Sequence, residues 1–476
     1  MEARFLEVGL TNQERSRGFF NNGGTDDRSF SSLSDINSEL TSFLSGFSDC
    51  FKTAKSDVSG QAAAYVGGLC QTIKRNIERI DELAPGYQYH QLHHFLAYSP
   101  WDDRKLDKAI TERAAKVMGK GRVALLFDPT SFAKKGNDSV GVGRQYLGSV
   151  GKIDNGQVGV VASLVNGRDA CLIDKELYLT KSWPDDNKRC EKAGIPVEAR
   201  RYRTHQQIVM EMLQRIDEQG IHYDWIGMDA EFGSPVMLLT LDDLDKRFLI
   251  DVRCNLSVYP RCPKLTTTPK RFRNQSKKLR FQAKPIEVKQ LIDGRRWKCI
   301  AVRPTTKGTL KVDIQHRDVW LVDPKTGRQR PFQLVIRRER SDRESNNETH
   351  TRIKYSLSNA PRKLGAQELA FMQAQRFWIE HAIKECKQLA GLNEYQVRLW
   401  HGWHHHFSLA MLVCLFLTEM RLKYNDPLPL LTGGDIWTML FNLLPRKTDT
   451  REGLLKLIRT RYRKREAALH YAYLKE

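Results

Sequence analysis

The sequence predicts an α/β fold, with a mixed-sheet core interrupted by a strongly basic β insertion and preceded by an all-helical segment. Three observations predict it. Near Arg122 the period changes: apolar residues at four-residue spacing give way to short apolar runs bounded by turn residues. Three strand-like runs then precede an alternation of helix and strand, the order of a mixed sheet. Charge is the third observation. The 476 residues hold 77 Lys and Arg against 56 Asp and Glu, a net of +21. Of these, 16 cations and only 2 acids fall between Arg253 and Lys307, a local net of +14. Such an excess calls for a polyanionic partner, and nucleic acid is the first candidate.

The elements follow in order. Residues 1–32 are polar and rich in Gly, Asn and Ser, the composition of a flexible arm. Residues 33–120 read as a helical domain of about four helices, with Phe43, Phe47 and Phe51 on one stripe and Tyr65, Leu69, Ile73 and Ile77 on another. Pro85-Gly86 and Ser99-Pro100 punctuate it. The first part of the core, 121–252, opens with the strand Val123–Phe127. Strands at 156–165 and 170–179 are joined by the hairpin turn Asn166-Gly167. A helix at 204–219, a strand at 223–228, a helix at 234–242 and a strand at 247–252 complete it. The basic β insertion spans 253–362, with strands at 296–302, 318–322 and 333–337. Core structure returns at 363–425, where one helix is expected from Ala366 to about Lys423. A basic tail, 426–476, clusters Arg459, Arg461, Arg463, Lys464 and Arg465.

Several classes are excluded. Nine scattered cysteines without a C-x-x-C pair argue against a disulfide framework or a zinc site. The N-terminus lacks an apolar core, so it is not a signal peptide. The longest apolar run, Phe407–Leu417, is too short to span a bilayer. A soluble, intracellular protein is expected. Gly148–Lys152 lacks the G-x4-G-K spacing of a phosphate loop. His401, His404, His405 and His406 have no acid or Cys beside them to complete a ligand set.

The chemistry centres on Arg376, Glu380 and Lys387, spaced R-x3-E-x6-K. On a helix Glu380 lies ~40° and Lys387 ~20° from Arg376, so one acid is flanked by two cations on one face. Glu385 falls ~180° away. Ile379, Ile383, Cys386 and Ala390 form an adjacent apolar stripe that can dock the helix on the sheet. A surface helix with i,i+4 charge pairs is the plainer reading of this segment. Asp128 follows the first core strand, and a turn-initiating Asp-Pro would also explain it. Asp229 follows a later strand directly, where an N-cap would serve as well; Glu231 beside it reads as a loop residue. Taken together, two strand-end aspartates and one helical glutamate are the ligand set for two hard divalent cations acting on a phosphodiester. Arg376 and Lys387 would then hold the DNA backbone, one by bidentate geometry and one as a point charge.

These residues resemble a known family. The chain looks like a DDE transposase of a bacterial insertion sequence, of the branch whose third motif is Y-x2-R-x3-E-x6-K. The match is residue by residue at Arg376, Glu380 and Lys387, and Gln373 stands at the tyrosine position. Asp128–Gly136, Ser139–Tyr146 with Gly151-Lys152, Asp229–Gly233, and Gly391–Arg398 with Trp400 resemble the neighbouring blocks, so the likeness covers about residues 40–420. The resemblance implies a ribonuclease-H-like core and catalytic, metal-binding roles for Asp128, Asp229 and Glu380. Two Mg2+ ions are implied, with Mn2+ able to substitute. It implies double-stranded DNA as partner: transposon ends in terminal inverted repeats, and target DNA. A homodimer pairing two ends is implied, in the cytoplasm of a bacterium and on its nucleoid. Cut-and-paste transposition is the implied activity. The residues assigned to DNA are Arg376, Lys387, Lys134, Lys135 and Arg144, with Trp297 and Trp320 as candidates to stack on an unpaired base. The helical domain and basic tail would add end recognition and dimer contacts. The alternatives are a domesticated, non-catalytic DNA-binding regulator, or a metal-dependent endonuclease of the same core without strand transfer.

Overall fold

The computed structural model describes residues 35–119, 121–267, 279–305, 308–323, 326–339 and 352–473. The arm at 1–32 lies outside these residues, as do several insertion cations, Lys270, Arg271, Arg273, Lys277, Lys278 and Lys307 among them.

Aromatic and aliphatic spacing near the start forms five helices where about four were expected: α1 (Ile36–Ser45), α2 (Ser59–Gln71), α3 (Ile77–Leu83), α4 (Tyr89–Ala97) and α5 (Asp103–Met118). Phe43, Phe47, Phe51, Tyr65, Leu69 and Ile77 are buried, but Ile73 is 75% exposed. Thr72 turns extended and ends α2, so the four-residue register does not reach Ile73. These helices share one apolar core with the sheet that follows.

The sheet explains the change of period. Strand β1 (Val123–Ala133) pairs antiparallel with β3 (Lys152–Asn166), which also pairs with β2 (Gly143–Leu147) and β4 (Asp169–Tyr178). β5 (Trp225–Met228) joins β1 in parallel, and β6 (Phe248–Val252) joins β5 in parallel. The order β4-β3-β1-β5-β6, with an antiparallel trio followed by two parallel strands, is a ribonuclease-H-like core. Around it lie α6 (Asn187–Lys192), α7 (His205–Glu218) and α8 (Pro235–Asp243). α7 is opened by a capping box of Thr204 and Gln207.

The basic segment makes two short ribbons, β7 (Ser257–Val258) with β10 (Ile286–Glu287) and β8 (Leu265–Thr267) with β9 (Leu279–Phe281). It then forms an antiparallel meander of β11 (Lys298–Thr305), β12 (Gly308–Val322), β13 (Gln329–Glu339) and β14 (Arg352–Ser358). β14 pairs with β6. The insertion therefore continues the core sheet, which reaches ten strands among the described residues.

The single helix expected from Ala366 is two: α9 (Ala366–Leu389) and α10 (Trp400–Lys423). Gly391 breaks it at φ +66, and a Cβ there would fall 2.5 Å from the Arg75 side chain. Arg75 is fixed in turn by Glu394, 2.9 Å from its Nη1. α10 is buried almost all round, the signature of a central helix. His404, His405 and His406 serve that core, while His401 is exposed. His406 Nδ1 lies 2.9 Å from the Tyr65 hydroxyl, and His405 Nδ1 lies 2.8 Å from the Leu96 carbonyl. Burial pushes His404, His405 and His406 down to about 4. α11 (Gly433–Leu443) packs on α10, and the basic tail forms the exposed helix α12 (Arg451–Tyr473). Among the described residues no helix is long and apolar enough to cross a membrane.

Candidate active site

The two aspartates meet because β5 is shorter than β1. Parallel pairing of the two strands ends at Phe127 and Met228, so Asp128 and Asp229 are the next residues on each. Asp128 does not close its strand, as the apolar run suggested. β1 runs on to Ala133, held by β3, with Asp128 opposite Val161. The sequence Asp128-Pro129 read as a turn, yet proline's missing donor is tolerated here because β5 no longer flanks that edge. Beyond Met228 the chain turns: the Phe232 amide donates to the Asp229 carbonyl at 3.1 Å, and the Glu231 amide donates to Asp229 Oδ1 at 2.8 Å. Gly233 follows because a Cβ there would sit 2.3 Å from the Asp251 carbonyl oxygen.

α9 brings the third acid. Its apolar stripe docks as the spacing predicts, with Ile379, Ile383, Cys386 and Ala390 all buried. The adjacent edge carries Arg376, Glu380 and Lys387 into one open groove of about 540 Å³ with Asp128 and Asp229. Glu385 faces elsewhere, 3.4 Å from His381.

Arg376 is the hub. Its Nη1 lies 3.8 Å from Asp128 Oδ1 and 3.7 Å from Asp229 Oδ2, and its Nη2 lies 2.7 Å from Glu380 Oε1. A fourth carboxylate, Asp251 on β6, lies 3.5 Å from Nε. Sequence reasoning missed Asp251, which reads as one polar residue in an apolar strand. The signal was the same as for Asp128, a carboxylate in a buried run that needs a partner. Asp251 is itself held: Ser356 Oγ donates to its Oδ1 at 2.5 Å, and Gln373 Nε2 donates to Ser356 Oγ at 2.5 Å. Gln373, at the family's tyrosine position, is thus buried against the sheet.

The electrostatics follow from crowding. Burial pushes the Asp128 carboxyl up to about 8; Arg376 opposes this, while Asp229 and Glu380 add to it. Asp229 is also raised, by burial first. Glu231 lines the groove but is bonded to His205, which holds its carboxyl below the usual range. Burial lowers Lys387, whose Nζ donates to the Ser131 carbonyl at 3.2 Å.

The remaining sequence-predicted residues lie apart from the acids. Lys134 and Lys135 line a neighbouring groove. Arg144 is exposed on β2, beside Gln145 and Tyr146 of the acid groove. Trp297 is partly buried beneath Arg338, 4.3 Å from the ring centre. Trp320 is half-buried and bridged through its backbone to Tyr259. Neither tryptophan lines the acid groove.

Three carboxylates with no sulfur ligand suit a hard divalent cation such as Mg2+. Among the described residues, no three His, Cys, Asp or Glu side chains close on one point as a metal's ligands would. The Arg376 guanidinium reaches all three acids instead. The donor chemistry fits the ion. Ligation would require Asp128 to release its proton and the acids to turn from Arg376.

Residues 46–309 match the family model of the DDE superfamily endonucleases. That span holds Asp128 and Asp229 and ends before Glu380. The chain is also 29% identical over 227 residues to a probable transposase for insertion sequence element IS701 from Microchaete diplosiphon. This alignment takes in 46% of the chain and 56% of that relative, so the chain spans about half the relative's length. With a family match over more than half its residues, on a ribonuclease-H-like core, the chain belongs to the DDE superfamily of endonucleases.

Proposed function

We propose that the protein is a DNA transposase, which binds the terminal inverted repeats of its element, cuts them and joins the freed 3′ ends to target DNA. The observation that carries this reading is the meeting of Asp128, Asp229 and Glu380 around Arg376 in one groove. The similarity to an insertion-sequence transposase supports it.

Asp128, Asp229 and Glu380 would hold two Mg2+ ions. Bound there, such ions activate a water or a 3′-hydroxyl and stabilise the leaving oxygen in phosphodiester displacement. The chain's own residues do the rest. Arg376, released from the acids, offers a planar guanidinium to a backbone phosphate. Lys387 is held by the Ser131 carbonyl in the same groove and supplies a second positive charge. Lys134, Lys135 and Arg144 extend that positive surface, and Trp297 and Trp320 are assigned to an unpaired base. The helices at 33–120 and α12 contribute to end recognition and to pairing two copies.

The test is an assay with Mg2+ on DNA carrying the element's ends, comparing the wild type with Glu380→Gln. Cleavage and joining by the wild type alone is the expected result. Binding without cleavage would make the protein a DNA-binding regulator. Cleavage without joining would make it an endonuclease.

A further inference from the structure

Beside the acid groove lies a second one, of about 560 Å³, which the DDE chemistry does not use. It is lined by Lys134, Lys135 and Arg398 with Tyr89, His93 and Tyr395. Its volume falls within the ~300–1,000 Å³ range of ligand sites.

Its cations are short of anions. Lys134 Nζ sits 3.6 Å from the centre of the Tyr395 ring, and burial pushes the amine down to about 8. Among the described residues neither Lys134 nor Lys135 has an ion-pair partner. One carboxylate, Asp138, stands at the rim, 3.5 Å from Arg398, with both side chains about two-thirds exposed. An exposed pair of this kind neutralises little. A half-buried ammonium without a counter-charge is stabilised by any phosphate that enters.

The backbone that carries Lys134 and Arg398 is also fixed. The Lys134 amide donates to the Asn155 carbonyl at 3.0 Å, and Asn155 Nδ2 donates back to the Lys134 carbonyl at 2.9 Å. The Val140 amide donates to the Arg398 carbonyl at 2.9 Å, tying the two basic segments together. Across the groove α4 presents a stacked pair, Tyr89 and His93, with ring centres 5.9 Å apart and planes within 11°. Tyr89 is 44% exposed and lines the groove. The Tyr395 ring, by contrast, is already covered by Lys134. Phosphate grip beside an exposed aromatic ring is the recurrent chemistry of single-strand binding.

β1 connects this groove to the acids. Lys134 follows Asp128 by six residues, ~20 Å of extended chain or about six stacked nucleotides. We infer that this second groove binds an unpaired nucleotide of the DNA strand that leaves the acid groove, with its phosphate on Lys134 and Lys135 and its base on Tyr89. The inference rests on the transposase reading above.

The test uses the full chain and a DNA duplex with a six-nucleotide single-stranded extension, the fluorescent base 2-aminopurine being placed at each extension position in turn. Stacking on Tyr89 should quench one position, and Tyr89→Ala should remove that quench and weaken binding of the extended DNA about tenfold. Lys134→Ala should lower the slope of log affinity against log salt by about 0.7 for each single-strand phosphate lost. Lys134→Arg should restore most of the slope. The exposed position of Tyr89 keeps its variant readable should Lys134→Ala fold poorly. If every extension position stays bright, or extended and blunt DNA bind alike in wild type and variants, the groove is not a nucleotide site. In that case Glu380-dependent cleavage would still stand. If the wild type binds neither DNA, the transposase reading fails and the groove fails with it.

Discussion

Asp251 Oδ2 lies 3.5 Å from Arg376 Nε, while Asp128, Asp229 and Glu380 meet the two Nη atoms of the same guanidinium. One cation therefore answers four carboxylates, and the fourth is the one tied back into the sheet through Ser356 and Gln373. We expect Asp251 to position Arg376.

Asp251→Asn is expected to lower the single-turnover cleavage rate about 10–100-fold, the usual size of losing an orienting partner. Ser356→Ala should act in the same direction and less. Double substitution should cost little more than Asp251→Asn alone, because both act through Arg376. Full additivity of the two effects would argue against the chain of contacts.

Gln373→Tyr, which restores the family's residue, should destabilise rather than rescue. Gln373 is 4% exposed and hydrogen-bonded to Ser356, so a ring there overpacks the contact. The expected loss is ~1–3 kcal/mol in urea unfolding. Unchanged stability would show that the position can open toward the groove.

Stability should depend on the charge of Asp128. Its folded carboxyl titrates at about 8 against an ordinary 3.8. Between those values the folded state holds a proton that the unfolded chain has lost, so stability falls as pH rises through the window. Asp128→Asn keeps the neutral form throughout. Melting temperatures of the two proteins should therefore converge near pH 4 and separate by several degrees near pH 8, the variant being the more stable. A constant gap across that range would contradict the raised carboxyl.

Lys175 is fully buried, with Nζ bonded to Asp103 and Ser408, each at 2.8 Å, and to Asp107. It ties β4 to α5 and α10. Lys175→Met should cost about 3–5 kcal/mol, since it leaves buried carboxylates without their cation. Adding Asp107→Asn should recover part of that loss. A loss under ~1 kcal/mol would mean that water reaches the pair.

Much of this molecule was legible because local chemistry repeats along a chain. The Asn166-Gly167 hairpin, the strand before Asp229, and the helical face of Arg376, Glu380 and Lys387 all follow from residues a few positions apart. Errors arose where a distant neighbour decided. Arg75, some 316 residues away in sequence, helps to set the break at Gly391 that the apolar run from Ala366 to Lys423 concealed. β3 carries β1 past Pro129, where the dipeptide alone read as a turn.

The sequence by itself determined the fold class, the helical face that Arg376, Glu380 and Lys387 share and the positive charge of residues 253–307, since periodicity, spacing and net charge are properties of order along the chain. Tertiary structure alone decided that Arg376 sits among the acids and that Asp251, Ser356 and Gln373 hold it. It also decided that the basic meander continues the core sheet through β14 and β6. The physical reason is that a carboxylate's role depends on which charges share its low-dielectric surroundings. Those neighbours came from β1, β5, β6, β14 and α9, which only packing brings together.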